Sequence, residues 1–272
     1  MPCIRPFSEK DGILIFDSEL DAQLSTYEAH HLEKLMEAET SHFWFSNRRD
    51  KIGQLFQQRI PKKSRILEIG GGTGYVAAKL IELGYSIEES DIHLNGLLYA
   101  KKRGIKKLMQ FDLFSPPFIE EFDCICLFDV LEHLHEEQRA LESLRSMLKP
   151  GGFIVLTVPA HQWLWNRDDV IAGHCRRYSQ KHLETVFRST RFETVHLQYF
   201  FIAILPFLIL RKWVNRDTGC RVAKSESVAE RIPSFFNKIC NFLTKTEFYF
   251  ERYLPNKIGG TLIAIAQKPL IR

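Results

Sequence analysis

The sequence lacks several features that would mark an extracellular, membrane-spanning or strongly nucleic-acid-binding protein. Its six cysteines include no Cys-x-x-Cys pair and no dense framework, so we expect reduced thiols and a cytoplasmic location. The N-terminal segment has no continuous apolar stretch, which argues against a cleaved secretory signal. The formal net charge is only +4, which by itself does not indicate a nucleic-acid partner.

Long apolar runs and flexible linkers are scarce as well. The most apolar stretch, residues 199–214, is interrupted by Pro206 and is shorter than the ~20 residues of a spanning helix. No internal repeat and no Pro/Gly/Ser-rich linker divides the 272 residues, of which 45% are hydrophobic and 26% charged. That composition is typical of a globular chain with a full core, so we expect one α/β domain, with or without an insertion.

Short apolar strands alternate with helices from residue 64 onward. Strands are predicted at 64–70, 85–90, 106–111, 122–128, 152–158, 192–200 and 261–268. Helices are predicted at 22–40, 73–84, 95–104, 136–152 and about 180–190, with a long loop at 161–179. The alternation predicts βαβ units with right-handed crossovers, and therefore a doubly wound, Rossmann-like, mostly parallel α/β sheet with helices on both faces.

Three regions follow from this pattern. We predict an N-terminal helical cap at residues 1–60. The Rossmann-like domain comprises 61–200 together with 261–272, and a helical insertion or lid occupies 201–260. The insertion comes before the last strand, where a minimal sheet would not need it.

A glycine-rich turn is the sharpest feature of the sequence. Residues 66–80, ILEIGGGTGYVAAKL, carry a strand into Gly70, Gly72 and Gly74, and a helix begins at once. Glycines permit positive φ and let a ligand approach bare peptide groups, and such a turn at the carboxyl edge of a sheet binds nucleotide-like ligands. Residues 72–77 also match the Gly-x-Gly-x-x-Ala dinucleotide pattern, so a nicotinamide dehydrogenase is an alternative.

Carboxylates stand at the ends of three successive predicted strands. Glu68 precedes the glycines, Asp91 ends the second strand and Asp112 ends the third. A carboxylate at the position of Asp91 can accept both hydroxyls of a ribose, and one at Asp112 can accept the exocyclic amine of an adenine. Glu68 would repel a phosphate, so it suits a cationic group instead.

Five motifs in register resemble the class I S-adenosylmethionine-dependent methyltransferases. They are LEIGGGTG (67–74), SDIH (90–93), FDLF (111–114), FDCICLFDVLEHL (122–134) and LKPGGFIVLTVP (148–159). The resemblance covers residues 64–160 and implies a seven-stranded sheet whose last strand is antiparallel. It also implies S-adenosyl-L-methionine as the cofactor and S-adenosyl-L-homocysteine as the product.

The same resemblance implies which residues contact the cofactor. The residues implied for the methionine part are Glu68, Gly70, Gly72, Gly74 and Asp129. Asp91 and Ile92 are implied for the ribose, and Asp112 and Leu113 for the adenine. The dinucleotide fingerprint fits less well, because its third glycine position holds Ala77 or Tyr75 and no second nucleotide-binding half follows. The methyltransferase interpretation is therefore favoured over the dehydrogenase.

Asp129, Glu132 and His133 follow the fourth strand at positions i, i+3 and i+4. On a helical turn they would share a face and could bind a hard divalent cation. The pattern resembles the metal-dependent methyltransferases of ubiquinone biosynthesis and of small-RNA 3′-end modification. In the alternative interpretation, which we favour, no metal is bound and Glu132 and His133 only cap and buttress the helix.

The segment GHCRRY (173–178) offers the catalytic candidates. A histidine is the usual general base near neutral pH, so we predict His174 in that role and His133 as the second candidate. Arg177 suits a carboxylate or phosphate on the acceptor, and Tyr178 adds a phenol beside it.

The same segment has a plainer interpretation. One of its arginines would pair with Asp168 or Asp169, and Tyr178 would pack against the sheet. His161 lies in the same region and is a further candidate. The two interpretations differ in whether these side chains face a ligand or each other.

The segment HFWFSNRR (42–49) joins the predicted cap to the sheet. Aromatic side chains that close over a cofactor exclude water and can stack on it. The segment resembles the N-terminal cap of many small-molecule methyltransferases, so we predict that Trp44 and Arg48 contact the cofactor or the acceptor. The alternative is a staple that packs the cap helix onto the domain.

Residues 199–258 are rich in cations and aromatic side chains. Within them, 211–258 contains ten Lys and Arg against five Asp and Glu, an excess of +5 that exceeds the +4 of the whole chain. Three interpretations stay open: a lid over an apolar substrate pocket, peripheral contact with the inner face of a membrane, and a surface for single-stranded RNA.

We therefore predict an enzyme that transfers a methyl group from S-adenosylmethionine to a small-molecule or lipid-like acceptor. The available histidines favour an oxygen acceptor, and carbon or nitrogen stays open. One alternative is a cofactor-binding module without turnover. An RNA-directed methyltransferase is the other, and it is disfavoured because the sheet domain has no long basic patch.

Overall fold

One mixed β-sheet organises the protein. The computed structural model describes residues 5–17, 29–214, 232–254 and 256–270, so the predicted helical residues 22–28 and residues 215–231 of the predicted insertion lie outside it. The strands are β1 Ser8–Lys10, β2 Ile13–Ile15, β3 Arg65–Ile69, β4 Ser86–Asp91, β5 Leu108–Gln110, β6 Phe122–Phe128, β7 Leu148–Pro159, β8 Glu193–Phe200 and β9 Thr261–Gln267.

The strand order across the sheet is β1-β2-β5-β4-β3-β6-β7-β9-β8. Strands β3 to β8 are mutually parallel, and β9 runs antiparallel to both of its neighbours, β7 and β8. All seven predicted strands are present and the last one is antiparallel. The predicted Rossmann-like fold class is therefore confirmed.

The hairpin β1–β2 was not predicted, because residues 1–60 were expected to be helical. It adds two strands to the sheet by pairing β2 in parallel with β5. Its turn is made by Asp11 and Gly12, both with positive φ (54° and 72°). Asp-Gly between apolar residues is a strong hairpin signal, since a type I′ turn needs positive φ at both central positions. The sequence thus contained the information that the helical assignment overlooked.

Helices cover both faces of the sheet. They are α1 Ala29–Ser41, α2 Phe43–Arg59, α3 Tyr75–Glu82, α4 Leu94–Lys102, α5 Glu137–Met147, α6 Arg167–Ala172, α7 Gln180–Ser189, α8 Leu205–Val214 and α9 Ser234–Phe250. Ser179 caps α7 as predicted, because its side chain accepts from the His182 amide. None of the described helices is both long and apolar enough to cross a membrane.

The predicted long loop 161–179 is wrong in its middle. Helix α6 lies there and begins with a capping box. The Asn166 side chain accepts from the Asp169 amide, and the Asp169 side chain accepts from the Asn166 amide. The same box holds Asp169 in a buried position. The cap therefore gives this segment a fixed shape next to the carboxyl edge of the sheet.

Two buried clusters fill the space on either side of the sheet. One contains apolar side chains of α5 and α7, and the other contains those of α2, α3 and α4. Helix α9 joins the second cluster through Cys240. It is also tied to α2, because Asn237 accepts from the Phe43 amide and Asn241 accepts from the Asn47 side chain, both at 2.8 Å. Helix α2 of the predicted cap and helix α9 of the predicted insertion therefore pack together.

Lys268 holds the end of α5 against β9. Its ammonium is buried and donates to the carbonyls of Arg145 (3.0 Å) and Leu148 (2.7 Å) and to the Glu120 carboxylate (2.8 Å). We expect Lys268→Met to lower the free energy of unfolding by about 1–3 kcal/mol, because it leaves buried acceptors without a donor. Urea denaturation measures this difference. The exposed control Lys106→Met should change stability little, and an equal loss in both variants would contradict the assignment.

Candidate active site

The glycine turn connects β3 to α3 and folds back on β4. Gly70, Gly72 and Gly74 all have positive φ (69°, 60° and 75°), the region that side chains disfavour. The Gly70 amide donates to the Ser90 carbonyl at 2.8 Å, and the Gly72 amide donates to the Asp91 carboxylate at 2.9 Å. The predicted ligand turn and the predicted ribose carboxylate therefore lie in direct contact.

Asp91 ends β4 with its side chain held by two amides. Besides Gly72, the His93 amide donates to it at 2.8 Å. Desolvation raises the pKa of Asp91, and these backbone hydrogen bonds act in the opposite direction. Ile92, predicted beside it, is about one-third exposed (36%). The carboxylate is fixed in place and the next side chain stays accessible.

Two buried glutamates lie at the same edge of the sheet. Glu68 has one carboxylate oxygen, and Glu89 has both, without a hydrogen-bond partner among the described residues. Desolvation raises the pKa of Glu68 to about 8, although the charge of Arg48 opposes the shift. Desolvation also raises the pKa of Glu89 well above its usual range, and the charge of Glu68 is the second cause. Such a pair fits the ammonium group of a methionine moiety, because a cation would relieve both buried acids.

Glu89 was missed by the sequence reasoning. It lies below the glycine turn, since a Cβ on Gly71 would be only 2.6 Å from its carboxyl carbon. The available signal was the adjacent pair Glu88 and Glu89 in a predicted strand, because successive side chains of a strand point to opposite faces and buried acids are rare. In this strand, only Asp91, two positions after Glu89, was predicted to contact the cofactor.

Asp112 and Leu113 follow β5, which ends two residues before the predicted Asp112. The Asp112 carboxylate accepts from the Phe114 amide at 2.9 Å, and its own amide donates to Asp17 at 3.0 Å. Asp112 is half-buried and Leu113 is buried. Asp17, just after the unpredicted hairpin, therefore helps to shape the predicted adenine end.

Helix α2 brings Trp44 and Arg48 to the sheet edge. The Arg48 guanidinium forms an ion pair with Asp129 and lies 4.6 Å from the centre of the Trp44 ring. Desolvation lowers the pKa of Arg48 to about 10, and the charges of Glu39, Glu132 and Glu68 oppose this shift. Trp44 also stacks on Phe201, with ring centres 6.3 Å apart. This contact agrees with the alternative in which the segment packs the cap helix onto the domain. Arg48 thus contacts Asp129, the predicted methionine-pocket residue, and Trp44 packs on Arg48.

The predicted face shared by Asp129, Glu132 and His133 is wrong. Asp129 has a positive φ of 56° and accepts from the Thr157 hydroxyl at 3.0 Å. Only Leu131–His133 form a helical turn, of the 3₁₀ type. Asp129 is therefore turned away from that turn and toward Arg48.

His174 takes the place expected for Asp129. Ligand atoms of Glu132, His133 and His174 lie within 4.8 Å of one another, and both oxygens of the fully buried Glu132 lack a partner among the described residues. Desolvation raises the pKa of Glu132 to about 8, and desolvation followed by the charge of His174 lowers the pKa of His133 to about 4. One carboxylate and two imidazoles suit a divalent cation, so these residues fit a metal.

Asp169 organises the rest of the predicted catalytic segment. One of its oxygens accepts from Arg177 Nε and lies at the same 2.8 Å from His174 Nδ1. Burial would raise the pKa of Asp169, but these hydrogen bonds hold it below its usual value. The pairing of Arg177 with Asp169 is the plainer interpretation weighed above. His174 is nevertheless brought to the cluster by the same carboxylate.

Tyr178 does not reach the site, contrary to its prediction as a catalytic residue. Its side chain is fully buried, and its hydroxyl donates to Glu137 at 2.7 Å. Desolvation and the Glu137 carboxylate raise the pKa of Tyr178 above its ordinary value. The phenol therefore serves packing between β7, α5 and α7.

His161 is a further unusual residue at this edge. It has a positive φ of 60° and stacks on Tyr199, with ring centres 4.7 Å apart. Its Nε2 atom is buried without a partner among the described residues, and desolvation lowers the pKa of His161. Strained, unsatisfied polar residues gather at functional sites. The structure thus places His161 close to Arg177, within the predicted acceptor region.

The comparison with protein families identifies the chain. The profile of a methyltransferase-domain family matches residues 24–197, which is more than half of the sequence. The chain therefore belongs to the class I S-adenosylmethionine-dependent methyltransferases, and S-adenosylmethionine is its cofactor. The predicted enzyme class is confirmed, and the dehydrogenase alternative is wrong.

Two curated relatives cover parts of the chain. The tRNA 5-carboxymethoxyuridine methyltransferase of Escherichia coli is 30% identical over 114 residues, 39% of this chain and 44% of the relative. The mitochondrial ubiquinone biosynthesis O-methyltransferase of Schizosaccharomyces pombe is 27% identical over 125 residues, 43% of this chain and 46% of the relative. The chain spans about half the length of the curated relatives it matches.

A solved structure supports the fold. Phosphoethanolamine N-methyltransferase 2 of Haemonchus contortus, in complex with S-adenosyl-L-methionine, superimposes with a TM-score of 0.58 at 17% identity. The match covers 92% of this chain and 59% of that one. At this identity the likeness concerns the fold alone.

Glu68 allows a test of the cofactor site by pH. Because the pKa of Glu68 is about 8, binding of a cationic methionine group must first remove its proton below that pH. We expect the affinity for S-adenosylmethionine to rise as the pH approaches 8, with proton release on binding. Calorimetry in buffers of different ionisation enthalpy measures both.

We expect Glu68→Gln to weaken this binding by about 10- to 100-fold and to remove the proton release, because a charged hydrogen-bond partner is lost. The control Glu82→Gln changes a glutamate on the surface of α3 and should bind like the wild type. Proton release that persists in Glu68→Gln would show that another group titrates.

Proposed function

We propose that the protein methylates a hydroxyl oxygen of a small or lipid-like acceptor, with His174 as the general base. The observation that carries this proposal is the 2.8 Å contact between the buried Asp169 and His174 Nδ1. A carboxylate on Nδ1 fixes the orientation and tautomer of the ring, so Nε2 is the nitrogen that accepts a proton. Transfer of a methyl group to a hydroxyl requires that proton to be removed.

S-adenosylmethionine supplies an electrophilic methyl group on a sulfonium. We infer that Glu68 and the turn from Gly70 to Gly74 receive its methionine part, Asp91 its ribose and Asp112 its adenine. Two observations support this assignment: one oxygen of Glu68 has no partner among the residues that the structure describes, and two amides orient Asp91. Arg48, paired with Asp129, then forms part of the boundary between cofactor and acceptor.

The surroundings of His174 favour an acceptor without an anionic group. Arg177 is paired with Asp169, and Arg176 binds Glu137 and the Leu134 carbonyl. The S. pombe relative is named for O-methylation in ubiquinone biosynthesis, which agrees with an oxygen acceptor of lipid-like character. The E. coli relative is named for tRNA, so RNA is the alternative that the assay must separate.

The proposal is tested with methyl-labelled S-adenosylmethionine and a total cell extract. We expect label in the material that an organic solvent extracts. We expect His174→Ala and Asp169→Asn each to lower the rate about 10²–10⁴-fold, because the base is removed or loses its orientation. His135→Ala, an exposed histidine nearby, is the control and should leave the rate unchanged.

Calorimetric titration with S-adenosylmethionine shows whether each variant keeps an intact cofactor site. Label in the RNA fraction would contradict the proposed acceptor class. An unchanged rate in His174→Ala would exclude His174 as the base, whatever the acceptor.

A divalent cation is a second candidate component of this site. The buried oxygens of Glu132, which have no hydrogen-bond partner in the described part of the chain, favour it. We infer that Glu132, His133 and His174 would hold it, with Asp169 as the outer partner of His174. A cation there would act as a Lewis acid toward an acceptor hydroxyl. In that case His174 would be a ligand and not the base.

The metal interpretation makes its own prediction for Mn²⁺ alone. We expect one binding event in calorimetry, with proton release below pH 8, because the pKa of Glu132 is about 8 and a ligand must be ionised. Glu132→Gln should weaken binding at least about tenfold, whereas the exposed control Glu136→Gln should not. Equal binding by both variants would rule out this site.

A further inference from the structure

Helix α9 and the turn after it carry aromatic and cationic residues at a regular spacing. Phe235, Phe242 and Tyr249 recur every seventh residue, and a cation follows each of them three positions later, at Lys238, Lys245 and Arg252. Spacings of three and four residues place side chains on one face of a helix. The aromatic and cationic side chains therefore alternate along a single stripe.

This stripe lies on the surface. The three aromatic side chains are 75%, 69% and 80% exposed, and the three cations are exposed as well. The opposite face of α9 is the packed one, with Cys240, Thr244 and Glu247 buried. The stripe is thus a feature beyond what core packing requires.

The stripe carries positive charge and no negative charge. Glu247, the one acid within α9, is buried and accepts from the Ala203 amide at 2.8 Å. Glu251, which follows the helix, is paired with Lys51. An open groove of about 400 Å³ runs along the stripe between Lys238 and Phe250. The surface is therefore complementary to a partner that is both anionic and able to accept aromatic rings.

Helix α8 adds exposed aliphatic side chains next to α9. Leu210 is 61% and Val214 is 76% exposed. These two residues lie three and seven positions after Phe207. The Phe207 ring contacts the Phe236 ring of α9, with ring centres 4.8 Å apart. On the other side, Arg211 of the same helix donates to Asp168 at 2.6 Å. Helix α8 thus connects the exposed surface to α6, which carries Asp169 of the proposed acceptor site.

We propose that this α8–α9 surface (Leu210, Val214, Phe235, Lys238, Phe242, Lys245 and Tyr249) docks onto an anionic phospholipid bilayer. Aromatic rings favour the interfacial layer of a bilayer, lysines favour anionic headgroups, and aliphatic side chains gain by leaving water. Docking here would bring the acceptor region near a lipid phase. Docking of this surface does not depend on the identity of the methyl acceptor.

Two other occupants fit the surface less well. Single-stranded nucleic acid would use the aromatic rings and cations, but it offers little to the exposed Leu210 and Val214. A second copy of the chain would bring two stripes together across a two-fold axis, and neither stripe offers an acid to pair with the lysines of the other. An anionic bilayer uses all three kinds of side chain.

Vesicle flotation tests the proposal with the full chain. Wild-type protein is expected to float at low salt with vesicles of equal parts phosphatidylcholine and phosphatidylglycerol, and to float weakly with phosphatidylcholine alone. Lys238→Gln with Lys245→Gln should lower the partition coefficient about 25-fold, since each lysine near an anionic surface contributes about fivefold. Phe242→Ser with Tyr249→Ser should lower it at least about tenfold, because the apolar anchor is lost.

The matched control is Lys106→Gln with Lys181→Gln, which removes the same charge from exposed sites elsewhere. It should float like the wild type, and all variants should bind S-adenosylmethionine equally, which keeps this test separate from methyl transfer. No flotation of the wild type with anionic vesicles, or equal loss in the control, would overturn the proposal. Binding of single-stranded RNA, or self-association that the stripe variants abolish, without flotation, would assign the surface to that partner instead.

Discussion

The candidate site depends on one constraint, which is that several acidic side chains are buried away from water at the carboxyl edge of the parallel strands. Glu68, Glu89 and Glu132 are at most 2% exposed, and desolvation is the largest cause of the raised pKa of each. Arg48 enters from α2, and its charge opposes the shift at Glu68 and at Glu132. A buried acid needs a proton or a nearby cation, so this edge favours ligands that bring positive charge. The cofactor of this family, a sulfonium with an ammonium group, is of that kind.

Helix α2 links this edge to the rest of the molecule. Its Arg48 pairs with Asp129, while Asn47, one position earlier, donates to Asn241 of α9 at 2.8 Å. Consecutive residues of a helix point in different directions, so one turn of α2 contacts both the sheet edge and the insertion. The carboxyl edge of the sheet and the α8–α9 surface therefore share a supporting helix. Any shift of α2 that separates Arg48 from Asp129 would also act on the packing of α9.

The features that sequence predicted correctly are those with local causes. The seven core strands were found because short apolar runs are bounded by glycines and helices, and the turn at Gly70 was found because positive φ favours glycine. The approach of His174 to Glu132 was not predicted, since 42 positions separate them and only the crossover from β6 through β7 and the packing of α6 bring them together. The predicted helical face shared by Asp129, Glu132 and His133 is wrong for a local reason, because the positive φ of Asp129 breaks the assumed helical turn.

Three of the six described non-glycine residues with positive φ lie at the same edge of the sheet. Asp129, His161 and Phe201 have positive φ without being glycine, and each follows a parallel strand by one or two residues. Such conformations cost of order 1–3 kcal/mol each and persist only where the surroundings hold them. Here the long pairing of β6 with β7, continuous from Cys124 to Phe128, anchors the residues just before Asp129. The orientation of the side chains at this edge is therefore set by the sheet itself, which gives the candidate site its geometry before any ligand binds.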